Sequence, residues 1–182
     1  MTDCAAVLAE AQASEQIYSL LESAATTWPD RPASTYAGVT YTWAQTARRC
    51  HAQATLFAEA GVMRGDRVAY LGLNSNVCFE GYFSPAAIGA IFVPLNFRLA
   101  LAELAECLDD CEPRVLICEP KFLKQALELT KRCSSIAQVL ISGAVDEITT
   151  LELQIAKGEL SLPPNFLFLE KEIAACLQNK QL

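Results

Sequence analysis

Residues 65–95, GDRVAYLGLNSNVCFEGYFSPAAIGAIFVPL, carry the pattern that indicates the fold class of this 182-residue chain. Each end of the stretch is a short apolar run, residues 67–73 and 91–95, with the length and composition of a buried strand. Polar residues 74–76 separate the first run from a helical pattern that extends to about residue 88. A strand, a helix and a second strand in this order predict a right-handed crossover between two parallel strands.

The same alternation continues along the chain. We predict a helix over residues 101–111, which ends before Pro113, and a third strand over residues 114–118. A further helix over residues 121–133 and a fourth strand over residues 136–141 follow. Four apolar strands separated by helices predict a doubly wound α/β fold, in which a mostly parallel sheet has helices on both faces.

A helix and a short hairpin precede this sheet. Ser14 is placed to cap the first helix, and residues 33–41 have the pattern of a tight hairpin that turns at Gly38. Thr42 is placed to cap the next helix, which runs through Ala60. The fold class is therefore a helix and a hairpin followed by a doubly wound α/β unit.

The chain divides into three predicted parts. Residues 1–13 are interpreted as a flexible arm, residues 14–145 as the α/β unit and residues 146–182 as a divergent carboxyl-terminal tail. In the tail, residues 146–157 have the pattern of one helix, and no strand is predicted from residue 166 to the end.

Composition excludes several classes of protein. Fourteen Lys and Arg against 21 Asp and Glu give a net charge of -7, and no basic run is longer than two residues. We therefore expect no nucleic-acid partner. The longest apolar stretch, residues 83–95, contains Pro85 and Pro94 and is far shorter than the roughly 20 residues that cross a bilayer, so no membrane span is expected.

The eight cysteines lie inside apolar periodic stretches, which is not the framework of a secreted disulfide-rich domain. The sequence shows no signal peptide, and its last three residues, Lys-Gln-Leu, resemble a peroxisomal Ser-Lys-Leu tail only at the leucine. We therefore expect an intracellular and most simply a cytoplasmic location. Cys107 and Cys111 share a helix face, but the single histidine, His51, is remote in sequence, so no metal site is expected.

Candidate ligand-binding residues lie where the first two predicted strands end. Asn74 and Ser75 follow the first strand, and Asn96 and Arg98 follow the second. Open parallel sheets bind ligands at the carboxyl ends of their strands, which makes these four side chains the candidates. The structural alternatives are that Asn74 and Ser75 only cap a helix and that Arg98 pairs with Glu103. No residue is predicted to be catalytic.

Two motifs carry a resemblance to a known family. The first is Gly38-Val-Thr-Tyr-Thr-Trp-Ala, and the second joins Gly65-Asp-Arg-Val-Ala to Val93-Pro-Leu-Asn-Phe-Arg-Leu. Together they resemble the amino-terminal part of the adenylate-forming superfamily of AMP-dependent synthetases and ligases, and the second motif is most similar to its acyl-CoA synthetase branch. The resemblance extends over about residues 17–160. It implies a reaction in which a fatty or aromatic carboxylic acid is activated with ATP and Mg²⁺ and transferred to coenzyme A.

The resemblance also implies parts that the sequence does not contain. The phosphate loop of the family is rich in Gly, Ser and Thr and carries a lysine, whereas the eight glycines here never cluster. The later adenine- and ribose-binding segments and the carboxyl-terminal domain with its catalytic lysine are not found either. We therefore expect a truncated synthetase-like chain that binds no cofactor by itself and is not catalytic alone.

Two alternatives stay open. The first is a non-catalytic binding or regulatory α/β module, which associates with a full-length relative, or with itself, through an uncovered apolar face. The second is an unrelated flavodoxin-like nucleotide-binding domain, which the lack of a phosphate loop disfavours.

Overall fold

The computed structural model describes residues 17–179 of the chain. Its elements are, in order, α1 (Ile17–Thr27), β1 (Pro32–Tyr36), β2 (Val39–Thr42), α2 (Trp43–Glu59), β3 (Arg67–Leu71), α3 (Asn76–Gly81), β4 (Ile91–Pro94), α4 (Leu101–Cys111), β5 (Val115–Cys118), α5 (Leu123–Arg132), β6 (Gln138–Ile141), α6 (Val145–Ala156), β7 (Phe166–Phe168) and α7 (Leu169–Asn179). Short 3₁₀ turns lie at Ala86–Ile88 and Pro120–Phe122. The predicted arm, residues 1–13, and the predicted cap Ser14 lie outside the described residues.

Local sequence determines the hairpin and the helix after it. Strands β1 and β2 are antiparallel, and Ala37 and Gly38 form their turn with φ of 49° and 77°, as a type I′ turn requires. The hydroxyl of Thr42 accepts the Gln45 N–H at 3.3 Å, while the Gln45 side chain accepts the Thr42 N–H at 2.9 Å. This reciprocal capping box fixes the start of α2. The predicted hairpin and helix are confirmed.

Strands β3 to β7 form one parallel sheet in the order β4-β3-β5-β6-β7. Along β3, Val68 and Tyr70 point into one apolar cluster, and Ala69 and Leu71 point into another on the opposite face. Because both faces are covered, β3, β5 and β6 are apolar at consecutive positions after the first residue rather than at every second one. The doubly wound α/β fold is confirmed.

Helices cover the two faces unequally. Helices α1, α2, α3 and α7 bury side chains in one cluster, which includes Leu21, Phe57 and Leu169. Helices α4, α5 and α6 bury side chains in the other, which includes Leu104 and Leu129. Over residues 17–179, no helix has both the length and the apolar character needed to cross a membrane.

The helix predicted to extend to residue 88 is shorter than expected. It ends at Gly81, and the chain then turns and forms the 3₁₀ segment Ala86–Ile88. Pro85 accounts for the break, because it has no N–H for a helical hydrogen bond and disfavours a helical conformation in the residue before it. Gly89 ends the segment with a φ of 71°.

The prediction that no strand lies between residue 166 and the end of the chain was wrong. Strand β7 pairs in parallel with β6, with Val139 opposite Phe166 and Ile141 opposite Phe168. Helix α7 follows at once and buries Leu169. Three residues are too few to show a period, so the exposed edge of β6, rather than the local pattern, selects this strand. The domain boundary at residue 145 stays a prediction.

Candidate functional site

The order of the strands creates a topological switch point at the carboxyl ends of β3 and β5. Strand β3 is followed in sequence by β4, which pairs on one side of it, whereas β5 pairs on its other side. The connections therefore leave the carboxyl ends of β3 and β5 in opposite directions, and open α/β sheets bind ligands at such a switch point. Tyr70, Ser75 and Glu119 meet here.

Tyr70 is the centre of this group, which we call the switch-point cluster (Tyr70, Ser75, Glu119). Its hydroxyl oxygen lies 2.8 Å from Glu119 Oε1, 2.9 Å from Ser75 Oγ and 2.7 Å from the Leu73 carbonyl oxygen. A phenol has one proton, so it donates to either Glu119 or Leu73 and accepts from Ser75. Burial raises the pKa of Tyr70 well above its usual value, and the Glu119 carboxylate adds to the shift. Tyr70 therefore stays protonated at neutral pH.

Glycines let the chain pack closely at these strand ends. A Cβ atom on Gly72 would lie 2.5 Å from the Tyr70 hydroxyl oxygen and 2.9 Å from Glu119 Cδ. A Cβ atom on Gly143, which follows β6, would lie 2.8 Å from Pro120 Cδ. Contacts this short are not tolerated, so both positions require glycine.

The hairpin lies beside the start of α3, next to the switch-point cluster. The side-chain amide of Asn76 donates to the Val39 carbonyl oxygen at 3.4 Å, which ties α3 to β2. Partial burial raises the pKa of Tyr36 in β1, and the carboxylates of Glu119 and Glu147 raise it further. The negative charges of these two carboxylates therefore act on the hairpin as well.

Of the four predicted ligand-binding residues, Ser75 alone belongs to the switch-point cluster. It also accepts the Cys78 N–H at 3.2 Å and so caps α3. Asn74 is exposed. Asn96 accepts the Arg98 N–H at 3.1 Å in a local turn, and the Arg98 guanidinium lies over the Phe97 ring at 4.7 Å. Ligand binding by these four residues stays a prediction.

The pairing of Arg98 with Glu103, which was the structural alternative to ligand binding, does not form. Glu103 instead accepts the Ala100 N–H at 2.7 Å and stabilises the start of α4. His51 lies half-buried within α2. Among the side chains of the described part of the chain, no three His, Cys, Asp or Glu residues are grouped so that they could hold a metal ion.

A second polar cluster lies under α2, and the sequence analysis missed it. Arg49 Nε and Nη2 donate to the Glu80 carboxylate at 2.5 and 3.2 Å, and Nη1 and Nη2 donate to Glu170 at 2.8 and 2.7 Å. Gln53 also donates to Glu80, and Ser84 donates to the Gln53 amide oxygen at 2.9 Å. We call these five residues the Arg49 cluster. Glu80 and Gln53 are fully buried, so the cluster is a charged network inside the core.

Charge pairing stabilises this network. Burial lowers the pKa of Arg49, but its hydrogen bonds and ion pairs with Glu170 and Glu80 outweigh that effect and leave the pKa above its usual value. Burial raises the pKa of Glu80, against the opposing effect of Arg49. The sequence offered one signal for this network, which is the opposite charge of Arg49 inside α2 and Glu80 near the end of α3. Opposite charge alone does not reveal which residues pair.

Replacing Tyr70 with phenylalanine is expected to lower the free energy of unfolding by about 1–3 kcal/mol, because Glu119 loses a buried hydrogen bond. Tyr36→Phe is the matched control, since that hydroxyl belongs to a side chain that is 41% exposed. Urea unfolding followed by circular dichroism measures both variants. Equal stability of the two variants would contradict a structural role for the Tyr70 hydroxyl.

Comparison with known proteins supports the resemblance of the sequence motifs. The family model described as AMP-binding enzyme matches residues 21–176. The chain is 43% identical over 101 residues to feruloyl-CoA synthase from Amycolatopsis sp, a match that covers 56% of this chain and 21% of that protein. It is 39% identical over 106 residues to indoleacetate–CoA ligase from Aromatoleum aromaticum, covering 54% of this chain and 21% of the relative.

Solved structures share the fold. A benzoate CoA ligase from Burkholderia xenovorans LB400 superposes with a TM-score of 0.71 at 15% identity, covering 89% of this chain and 29% of that one. At that identity the likeness concerns the fold alone. The chain thus spans about a fifth of the length of the curated relatives named above. Because the family model matches most of its residues, the chain belongs to the AMP-binding enzyme family.

Proposed function

We propose that this chain supplies the amino-terminal α/β layer of an AMP-forming acid–thiol ligase and does not form an acyl-adenylate by itself. In the complete reaction a carboxylate displaces pyrophosphate from ATP, and the thiol of coenzyme A then displaces AMP from the acyl-adenylate. The curated relatives are named as a feruloyl-CoA synthase and an indoleacetate–CoA ligase, which supports an aromatic carboxylic acid as the substrate of the complete enzyme.

The observation that carries the proposal is the chemistry of the switch-point cluster. Its polar groups are paired with one another, through Tyr70, Ser75 and Glu119. The carboxylate of Glu119 in this cluster repels phosphate. The cations that follow β4 and β5, Arg98 and Lys121, each lie over a neighbouring phenylalanine ring. The switch-point cluster itself does not fit the triphosphate of ATP, and no catalytic step is assigned to it.

The carboxyl end of β7 supports the same proposal. Strand β7 continues directly into α7 without a loop, and the first turn of that helix carries Glu170 and Glu172. Backbone N–H groups at a helix start bind phosphate when they are free of competing anions. Here acidic side chains lie in that turn, so it is poorly suited to a nucleotide phosphate.

An exposed apolar surface supports the second candidate function, which is association with the rest of a full-length relative. Around the edge strand β4, Ile91 is 53% exposed and Tyr82, whose ring centre lies 5.0 Å from that of Phe92, is 48% exposed. Met63 and Ile17 are exposed to 65% and 43%. Large apolar side chains on one edge are typical of a protein contact.

The seven described cysteines are free thiols, which supports an intracellular location.

A pyrophosphate-release assay tests the proposal. The 182-residue chain, ATP, Mg²⁺, coenzyme A and ferulate, benzoate or octanoate are expected to give no release above the rate without enzyme. A full-length ligase assayed with the same acids is the positive control.

The two proteins together are then passed over a sizing column, where co-elution in a fixed ratio is expected if the β4 surface binds the relative. Release of pyrophosphate by the chain alone would refute the proposal that it does not form an acyl-adenylate by itself.

A further inference from the structure

The Arg49 guanidinium is held in place by groups other than Glu170. Its Nε and Nη2 atoms donate to the fully buried Glu80, and its central carbon lies 4.4 Å from the centre of the Tyr41 ring. The Arg49 side chain is only 8% exposed. It would therefore keep its position and charge if the Glu170 carboxylate moved away.

Glu170 binds the remaining edge of this guanidinium as a two-point fork. Its oxygens lie 2.8 Å from Nη1 and 2.7 Å from Nη2 of Arg49, the geometry with which arginine recognises any carboxylate. The Glu170 side chain is 39% exposed, whereas Leu169 and Ile173 bury α7 in the core. The carboxylate can therefore rotate into water while the helix stays in place.

A groove of about 360 Å³ lies beside this fork. Its lining consists of Tyr41, Gln45, Arg48, Arg49 and Leu177. Arg48 is exposed and forms no ion pair or hydrogen bond with any other described residue, so it adds an available positive charge. Leu177 and the Tyr41 ring supply apolar surface. Two cations, an amide and an apolar wall match a small organic carboxylate.

We propose that Glu170 is the internal occupant of a binding site for a small organic carboxylate. The ligand carboxylate replaces that of Glu170 on Arg49, Arg48 adds a second favourable charge, and the apolar part of the ligand lies along Leu177. The site is distinct from the switch-point cluster and does not depend on the proposed acid activation.

Competition from the tethered carboxylate sets the affinity of the unmodified chain. A side chain on the same polypeptide acts at a high effective concentration, so an added carboxylate binds weakly while Glu170 is present. Removal of Glu170 should open the site and leave one edge of a buried cation unpaired. The variant Glu170→Ala is therefore expected to bind benzoate at least tenfold more tightly than the unmodified chain.

The test is titration calorimetry of the complete chain with sodium benzoate, with benzamide as the uncharged ligand of the same shape. Glu170→Ala should bind benzoate and not benzamide, and its unfolding temperature should rise with added benzoate. Glu172→Ala is the matched control, because it removes a carboxylate from the same helical turn without a contact to Arg49. It should behave as the unmodified chain does. Arg48→Gln, added to Glu170→Ala, should weaken benzoate binding several-fold.

Three results would overturn the proposal. They are equal affinity for benzoate and benzamide, equal affinity of Glu170→Ala and the unmodified chain, or the same gain in affinity from Glu172→Ala. If Glu170→Ala does not fold, Glu170→Gln serves instead, because it keeps the volume of the side chain and removes its charge. Binding of benzoate to Glu170→Gln no tighter than to the unmodified chain would then count as the negative result.

Discussion

Replacing Arg49 with leucine will lower the free energy of unfolding by about 3–5 kcal/mol, which is the usual cost of removing one partner from a buried ion pair. Glu80 would lose two hydrogen bonds from Arg49 while its carboxylate stays fully buried, and Gln53 alone would remain to donate to it. Glu170 would lose the two hydrogen bonds that join α7 to α2. Urea unfolding followed by circular dichroism gives the change directly.

Two companion variants isolate the cause. Arg48→Leu changes the neighbouring, exposed arginine of the same helix and should shift the unfolding free energy by no more than about 0.5 kcal/mol. The double variant Arg49→Leu, Glu80→Leu should be less destabilised than Arg49→Leu, because no unpaired charge is left in the core. A loss below about 1 kcal/mol in Arg49→Leu would show that the network contributes little to stability.

Leu169→Ala is expected to destabilise the fold by about 2–5 kcal/mol, the range measured for leucine truncation in a packed core. Leu169 is 0% exposed and belongs to the same apolar cluster as α1 and α2. The size of the effect reports whether the last helix is part of the core. Thermal and urea unfolding of the variant both measure it.

The matched control for this variant is Leu153→Ala in α6. Leu153 is 55% exposed, so the same truncation removes little buried surface and should change stability by less than about 0.5 kcal/mol. If the two variants unfold alike, β7 and α7 form an appendage rather than part of the folded unit.

Local sequence was sufficient wherever neighbouring residues decide the structure. The turn at Gly38 and the exchange of hydrogen bonds between Thr42 and Gln45 depend on residues at most a few positions apart. The same is true of α4, whose predicted bounds match those of the structure. The two motifs that suggested an AMP-dependent synthetase also lie within continuous stretches, and the match over residues 21–176 agrees with them.

Local sequence patterns did not predict which residues pair when they lie far apart in the chain. Strand β7 has three residues, and the edge of β6 selects it through backbone hydrogen bonds that a short apolar run does not predict. Glu119 has an available sequence signal, since it follows a predicted strand, but its partner Tyr70 is 49 residues away. Such a contact exists only because β3 and β5 are neighbours in the sheet.

Local sequence patterns predicted most of the helices, strands β3 to β6, the doubly wound class and the family of this protein, because the period of apolar residues and the capping groups act over a few positions. The Arg49 cluster, in contrast, forms only through tertiary packing, because Glu80 and Glu170 lie 31 and 121 positions from the guanidinium that they share. The same packing places the Glu170 carboxylate on the Arg49 guanidinium. The physical reason is that the partners of a buried charge follow from which helices and strands pack together, and no local pattern encodes that order.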